Sequence, residues 1–267
     1  MKNKRILITG IAGSIGSELA RQLCRRNKVY GCDINETGIM DLRNEIPIQA
    51  RVGDIRNRET CRDVFSDFLP QVVFHAAAYK HVSPMEEVPS EAVDTNVVGT
   101  MNILAYSGIY PVEKFVFIST DKAISPNSIM GATKRLGEIM TKNKGKGYVV
   151  VRFGNVLGSR GSVIPIWQRQ YDQGKPFTVT SAEAKRYFMT IEQAVSLVIT
   201  AGDEGKGGEI FILDMGEPLN ILEMAKSFGG HGVKITGLRP GEVLEEKLMS
   251  EEEEKRSEKR DKFWVIK

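Results

Sequence analysis

The first sixteen residues constrain the fold more than any other stretch. Lys4-Arg5-Ile6-Leu7-Ile8-Thr9 reads as a buried strand. Gly10, Gly13 and Gly16 follow at once in a G-x-x-G-x-x-G spacing, and a helix is expected from about Ser14, with Leu19 and Leu23 inward. Such glycines let the backbone turn tightly and approach a pyrophosphate, which rests on the helix N-terminus. A lone glycine triplet is weak; its place between a strand and a helix gives it meaning. Gly10, Gly13, Ser14, Ile15 and Gly16 are therefore candidate cofactor-binding residues.

The alternation continues. Val29-Tyr30-Gly31-Cys32 reads as a second strand ending in Asp33, 17 residues past Gly16. A carboxylate about 20 residues beyond the glycines suits an adenosine ribose and repels a 2′-phosphate, which favours NAD over NADP. An exposed loop aspartate is the plainer use of that residue. A short helix over Thr37–Glu45 and a strand over Gln49–Gly53 follow, and Asp54 and Ile55 are placed to hold an adenine amino group and cover the ring. Next come a helix over Asn57–Phe68, a strand over Val72–Phe74, and Ala76, Ala77 and Ala78, small as needed where backbone passes beneath a cofactor. Lys80 and His81 lie on the ligand side of that strand, although a histidine with a structural hydrogen bond is the commoner case. A helix over Ser90–Ser107 carries Asn96, whose amide can orient a strand end or bind water near a cofactor. Strands alternating with helices predict an α/β fold with a doubly wound parallel sheet.

Phe115 to Arg135 is the chemical centre of the chain. Phe115-Val116-Phe117-Ile118 is a strand buried on both faces, and Ser119-Thr120-Asp121-Lys122 stand at its carboxyl end, where ligands sit in such sheets. Pro126, Asn127 and Ser128 punctuate and cap a helix from about Ser128. Lys134 lies four residues after Met130, so both face one way. Adjacent Asp121 and Lys122 form a candidate acid–base couple, since each shifts the other's pKa. For an arbitrary Asp-Lys dipeptide a surface ion pair is the commoner use.

After the strand Tyr148–Phe153 the rhythm changes. Gly154–Val163 is glycine-rich and polar, a helix is expected over Ile164–Gln173, and strand-like Phe177–Val179 follows. Later come a helix over Ile191–Ala201, a strand over Ile210–Leu213, a helix over Leu219–Phe228, a turn over Leu238–Glu242 and a final strand over Phe263–Ile266. Asn155, Arg160, Arg186 and Arg239 in irregular segments suggest a smaller lobe gripping an anionic ligand, because the planar arginine fork suits a diphosphate. Any one of these arginines alone is more often a surface ion pair. Glu251–Glu254 and Lys255–Arg260 read as a solvated link. A net charge of +3 gives no reason to invoke nucleic acid. Cys24, Cys32 and Cys61 show no metal spacing and cannot all pair, which fits a reducing compartment. No apolar run approaches the ~20 residues that span a bilayer.

These motifs together resemble the extended short-chain dehydrogenase/reductase family. The resemblance rests on the glycine triplet, on Ser119-Thr120-Asp121-Lys122 and on the helix carrying Gly131-Ala132-Thr133-Lys134. More narrowly, His75–Val82, Arg152–Val163, Arg186–Thr190 and Gly237–Glu242 are similar to its CapD-like polysaccharide biosynthesis branch, the UDP-N-acetylglucosamine 4,6-dehydratases. The matches run in order from residue 5 to about 249. Most of the wider family carries a catalytic tyrosine where this chain has Met130; the methionine resembles the group that retains configuration at C5. Many members also have an N-terminal transmembrane region, absent from these residues, so a short form or an excised catalytic domain is expected, soluble and cytoplasmic.

The resemblance implies a Rossmann-type NAD-binding domain over 1–155 and a nucleotide-sugar-binding lobe over 156–267, with some segments returning to the first domain. It implies catalysis by Thr120, Asp121, Lys122, Met130 and Lys134, with Lys134 also on the nicotinamide ribose. Lys122 would remove the C5 proton as a neutral amine, which needs a lowered pKa, and protonated Asp121 would deliver a proton to the C6 hydroxyl. Lys80, His81, Asn155, Arg160, Ser162, Val163, Arg186, Arg239 and Glu242 would hold UDP-N-acetylglucosamine. No metal is implied, and a homo-oligomer is. Three rivals stand beside this reading: a UDP-sugar C4-epimerase, a C5-inverting dehydratase, and a non-catalytic NAD-binding protein.

Overall fold

Ile6 and Ile8 turn to one face of the central sheet, where they meet Leu19, Leu23, Val195 and Val198. Leu7, between them, turns to the other face and meets Val64, Phe65, Ile103 and Leu104. This period of two, with both faces apolar, is what a parallel strand under helices requires. The computed structural model describes all 267 residues.

The first half runs β1 (Arg5–Thr9), α1 (Ser14–Leu23), β2 (Lys28–Asp33), α2 (Glu36–Glu45), β3 (Gln49–Val52), α3 (Arg58–Phe68), β4 (Val72–His75), α4 (Val82–Glu87) and α5 (Pro89–Ala92). A π-helical segment, Val93–Gly99, joins α5 to α6 (Thr100–Ile109). Then come β5 (Lys114–Thr120), a 3₁₀ turn at Asp121–Ala123, α7 (Ile129–Lys142) and β6 (Tyr148–Phe153). The second half is more broken: β7 (Asn155–Val156), α8 (Val163–Asp172), β8 (Phe177–Val179), β9 (Lys185–Arg186), β10 (Phe188–Met189), α9 (Ile191–Glu204), β11 (Ile210–Leu213), β12 (Leu219–Asn220), α10 (Ile221–Ser227) and β13 (Val233–Ile235). It ends in α11 (Glu251–Lys255), β14 (Ser257–Arg260) and β15 (Phe263–Ile266).

Nine strands form the main sheet in the order β14-β15-β11-β6-β5-β4-β1-β2-β3. The seven from β11 to β3 are parallel, and β15 and β14 add an antiparallel edge. Strand order reverses between β1 and β4, the switch point where a crevice opens beyond the carboxyl ends. A second, small core forms the lobe, with Trp167, Phe177, Val179, Ala184, Ile221 and Ala225 packed together.

Three expectations change. The helix expected over Ser90–Ser107 contains the π-helical segment, and Asn96 within it bonds outward to Tyr79 and Thr133. The helix expected from Leu219 begins at Ile221, because Leu219 and Asn220 first pair with Arg186 and Lys185 and Asn220 then caps the helix. The run Glu251–Arg260 is no solvated link: Ser250 and Glu253 close a capping box on α11, and Ser257–Arg260 pairs with the final strand.

Candidate active site

The glycine loop is built to bring backbone close to a ligand. Gly10 has φ +71°, and a methyl added there would lie 2.6 Å from the Ala77 nitrogen. One added at Gly16 would lie 2.1 Å from the Gly10 carbonyl oxygen. Gly13 is the N-cap of α1 and brings no side chain to the helix's free N–H groups, and no acidic residue occupies the first turn. The cradle therefore fits an anionic group such as a dinucleotide pyrophosphate. Asp33 stabilises its edge, accepting from the Ala12 N–H at 2.9 Å.

Below the loop lies a cavity of about 630 Å³, of the size that holds small ligands. Thr120 and Lys122 line it from the end of β5, and Met130 and Lys134 from α7. Ser128 caps α7 by accepting from the Gly131 N–H, which fixes that helix against the strand end. Asp121 is 1% exposed. Its Oδ1 accepts from the Thr120 hydroxyl at 2.8 Å and from Lys122 Nζ at 2.9 Å, while its buried Oδ2 has no partner. Lys122 also donates to Asn155 Oδ1 at 3.4 Å and lies 3.5 Å from Glu246 Oε1. Burial opposes its charge, but Asp121 and Glu246 outweigh burial and hold the Lys122 pKa above the ordinary lysine value. The expectation of a lowered Lys122 pKa is thus reversed in this arrangement, because two carboxylates rather than one face the ammonium. Lys134 does move down, pushed by burial to about 8, and it donates to the Ile118 carbonyl. Met130 is 2% exposed and packs with Met85 and Ala92.

The lobe closes the other side. Lys80 donates to Ser159 at 3.2 Å, and the His81 ring sits against Gly161. Burial lowers the pKa of both Lys80 and His81. Asn155, Ser162, Val163, Arg186, Arg239 and Glu242 line the same cavity, and the Ser162 hydroxyl is buried without a partner. Arg186 is clamped by the Val243 and Leu244 carbonyls. Arg160 reaches across to the glycine loop: its N–H donates to Ser14 Oγ at 3.1 Å and its guanidinium to the Ala12 carbonyl.

Gly10, Gly13, Ser14, Ile15, Gly16, Ala76 and Ala78 line the cavity; Asp33, Asp54, Ile55, Ala77 and Asn96 do not. Asp54 is paired with Arg56 at 2.7 Å, and Ile55 is buried beneath Gly99 in the second core. Asn96 clamps Tyr79 through both its oxygen and its nitrogen. Glu246 lines the cavity and is absent from the sequence expectations. It follows the Leu238–Glu242 turn in a stretch without regular structure, so no periodicity marks it.

The family described as "Polysaccharide biosynthesis protein" matches residues 6–267. The capsular polysaccharide biosynthesis protein CapD of Staphylococcus aureus is 42% identical over 278 residues, which cover 95% of this chain and 46% of CapD. The chain thus spans about half the length of that relative. Among solved structures, Pen from Bacillus thuringiensis is 35% identical with a TM-score of 0.91, covering 99% of this chain and 88% of Pen. The UDP-glucose 4-epimerase of Thermus thermophilus, solved in complex with NAD, is 26% identical with a TM-score of 0.78, covering 90% of this chain and 88% of the epimerase.

Proposed function

The chain belongs to the polysaccharide biosynthesis protein family, and we propose that it is an NAD-dependent UDP-N-acetylglucosamine 4,6-dehydratase that retains configuration at C5. The observation that carries the reading is the Asp121–Lys122 pair, 2.9 Å apart at the mouth of β5 beside a buried Met130. Dehydration needs a base for the C5 proton and an acid for the departing C6 hydroxyl. Epimerisation at C4 needs neither, and it wants the tyrosine that most of the wider short-chain dehydrogenase/reductase family carries where this chain has Met130. A thioether takes up no proton.

The glycine cradle and the NAD in the similar Thermus thermophilus epimerase support NAD as cofactor. Asp33 and Lys134 are its proposed ribose contacts. When bound, NAD supplies the acceptance of hydride from C4 and its return to C6. The chain does the rest. Asn155, Arg186, Arg239 and Glu242 hold the uridine diphosphate, with Lys80, His81, Ser162 and Val163 around it. Arg160 joins them in holding the diphosphate and ties the lobe to the glycine loop. Thr120 hydrogen-bonds the sugar O4 and stabilises charge there. Lys122 takes the C5 proton, the C–H electron pair passing into the enolate of the 4-ketone. The Asp121 carboxylate takes the O4–H proton released as C4 becomes the ketone and gives that proton to the C6 hydroxyl, which leaves as water.

Asp121→Asn tests the reading. Turnover falls by about a hundredfold or more, while NAD still binds. A non-catalytic NAD-binding protein would have no turnover to lose, and an epimerase would be nearly indifferent to the change.

A further inference from the structure

Lys122 as it stands cannot act as a base. Its ammonium lies between Asp121 Oδ1 at 2.9 Å and Glu246 Oε1 at 3.5 Å, with Arg186 3.9 Å from the same Glu246 oxygen. An ammonium has no lone pair, so one proton must leave Lys122 before the C5 proton can arrive. The two carboxylates are not equivalent. Asp121 Oδ1 already accepts from the Thr120 hydroxyl as well as from Lys122, and in the proposed dehydration Asp121 carries the proton that goes to the C6 hydroxyl. Glu246 is 9% exposed, and its only nearby cations are Lys122 and the more distant Arg186.

We propose that Glu246 is the proton acceptor for Lys122: its carboxylate takes the ammonium proton and leaves the neutral amine that removes the C5 proton. The inference rests on the dehydratase reading. In the transfer one N–H bond of Lys122 breaks, an O–H bond forms on Glu246, and an ion pair becomes a neutral pair with no change in total charge. Lys122 then gains the C5 proton and gives one of its solvent-exchangeable ammonium protons to C5 once water has left, so Glu246 stays protonated through the turnover. Burial raises the proton affinity of Glu246, as the role requires. At 3.5 Å the two groups lie at the limit of hydrogen-bond reach. Glu246 acts through Lys122, so it is a positioning residue. It also comes from the lobe, whereas Lys122 stands on the sheet, which makes the base dependent on the lobe being in place.

The charged groups around this pair are Asp121 and Arg186, with Lys80 farther off on the Lys122 side and Tyr187 near Asp121. Asp121 is nearer the ammonium, but the proposed dehydration uses it for the C6 hydroxyl proton, and Arg186, Lys80 and Tyr187 offer the ammonium no carboxylate. The test pairs two measurements on the wild type, E246Q and E246D. The first is the Lys122 titration, followed by carbon NMR of labelled lysine and assigned with Lys122→Arg. Loss of one facing carboxylate lowers the Lys122 midpoint in E246Q by about one pH unit, and E246D restores most of it. The second is the pH dependence of kcat. E246Q loses about a hundredfold near pH 7 and gains a rising limb, roughly tenfold per pH unit, because its lysine must shed its proton to solvent. An unmoved Lys122 midpoint, or a loss in E246Q with the wild-type pH shape, overturns the proposal. If the wild type turns over no nucleotide sugar, the dehydratase reading fails, and the proton acceptor falls with it even where the titration shows the two groups coupled.

Discussion

A methyl added at Gly131 would lie 2.2 Å from the carbonyl oxygen of Lys122. That contact is backbone, so it cannot be relieved by turning a side chain, and α7 or the strand end must move. Gly131→Ala is therefore expected to destabilise the fold by about 1–3 kcal/mol and to lower turnover by displacing Lys122 from Asp121. Thermal melting and kcat, measured together, check it; an unchanged kcat with a lowered melting temperature would separate the packing from the chemistry. At this scale much of the site was legible in the sequence, because its members are chain neighbours or one helical turn apart: Thr120, Asp121 and Lys122 in a row, Met130 and Lys134 on one helix face. Glu246 was not, since it reaches Lys122 across 124 positions from a segment with no pattern. Asn96 was half legible. Its polar amide in an apolar helix marked it for a role near a strand end, and the π-helical segment spends that amide on Tyr79 and Thr133.

Between elements, one buried ionic cluster holds β6, α7 and α11 together. Arg152 is fully buried, 2.8 Å from Glu138 on α7 and 2.9 Å from Glu253 on α11. Ser119, next to the active-site strand end, also donates to Glu138 at 2.6 Å. Removing one partner leaves buried charge unpaired, so Arg152→Met is expected to cost about 3–5 kcal/mol by chemical denaturation. The same cluster makes stability depend on acid. Burial alone would raise the Glu253 pKa, but hydrogen bonds and attraction from Arg152 outweigh it and hold the group below its ordinary 4.5. The stabilisation from this carboxylate is therefore complete above its unfolded pKa and is lost as pH falls through the lower folded one. Wild type should lose more stability than Glu253→Gln between about pH 5 and about pH 3; parallel losses would contradict the assignment. The acidic run was read as solvated because its composition is that of a surface. Its capping signal, Ser250 followed three residues later by Glu253, was present and pointed to a helix.

The whole molecule does not divide along the chain at the point where its rhythm changes. β11, β14 and β15 return to the main sheet, and α9 packs beside α1, so residues after 156 complete the first core as well as building the lobe. The parallel half was legible because strand and helix alternate with opposite periodicities. The lobe was not, because its strands are two or three residues long and carry too little pattern. That interleaving places Lys122 beyond the end of β5 and Asn155, Arg186 and Arg239 of the second half around one cavity, and the proposed dehydration depends on the junction. Proton NMR of UDP-N-acetylglucosamine incubated with the protein and NAD in deuterated water tests this most directly. The H4 signal is expected to disappear and a C6 methyl to appear, with solvent deuterium at C5 and the coupling pattern of retained configuration. A C4-epimerised sugar with its C6 hydroxymethyl intact, or an unchanged sugar while NAD binds, would contradict the dehydration.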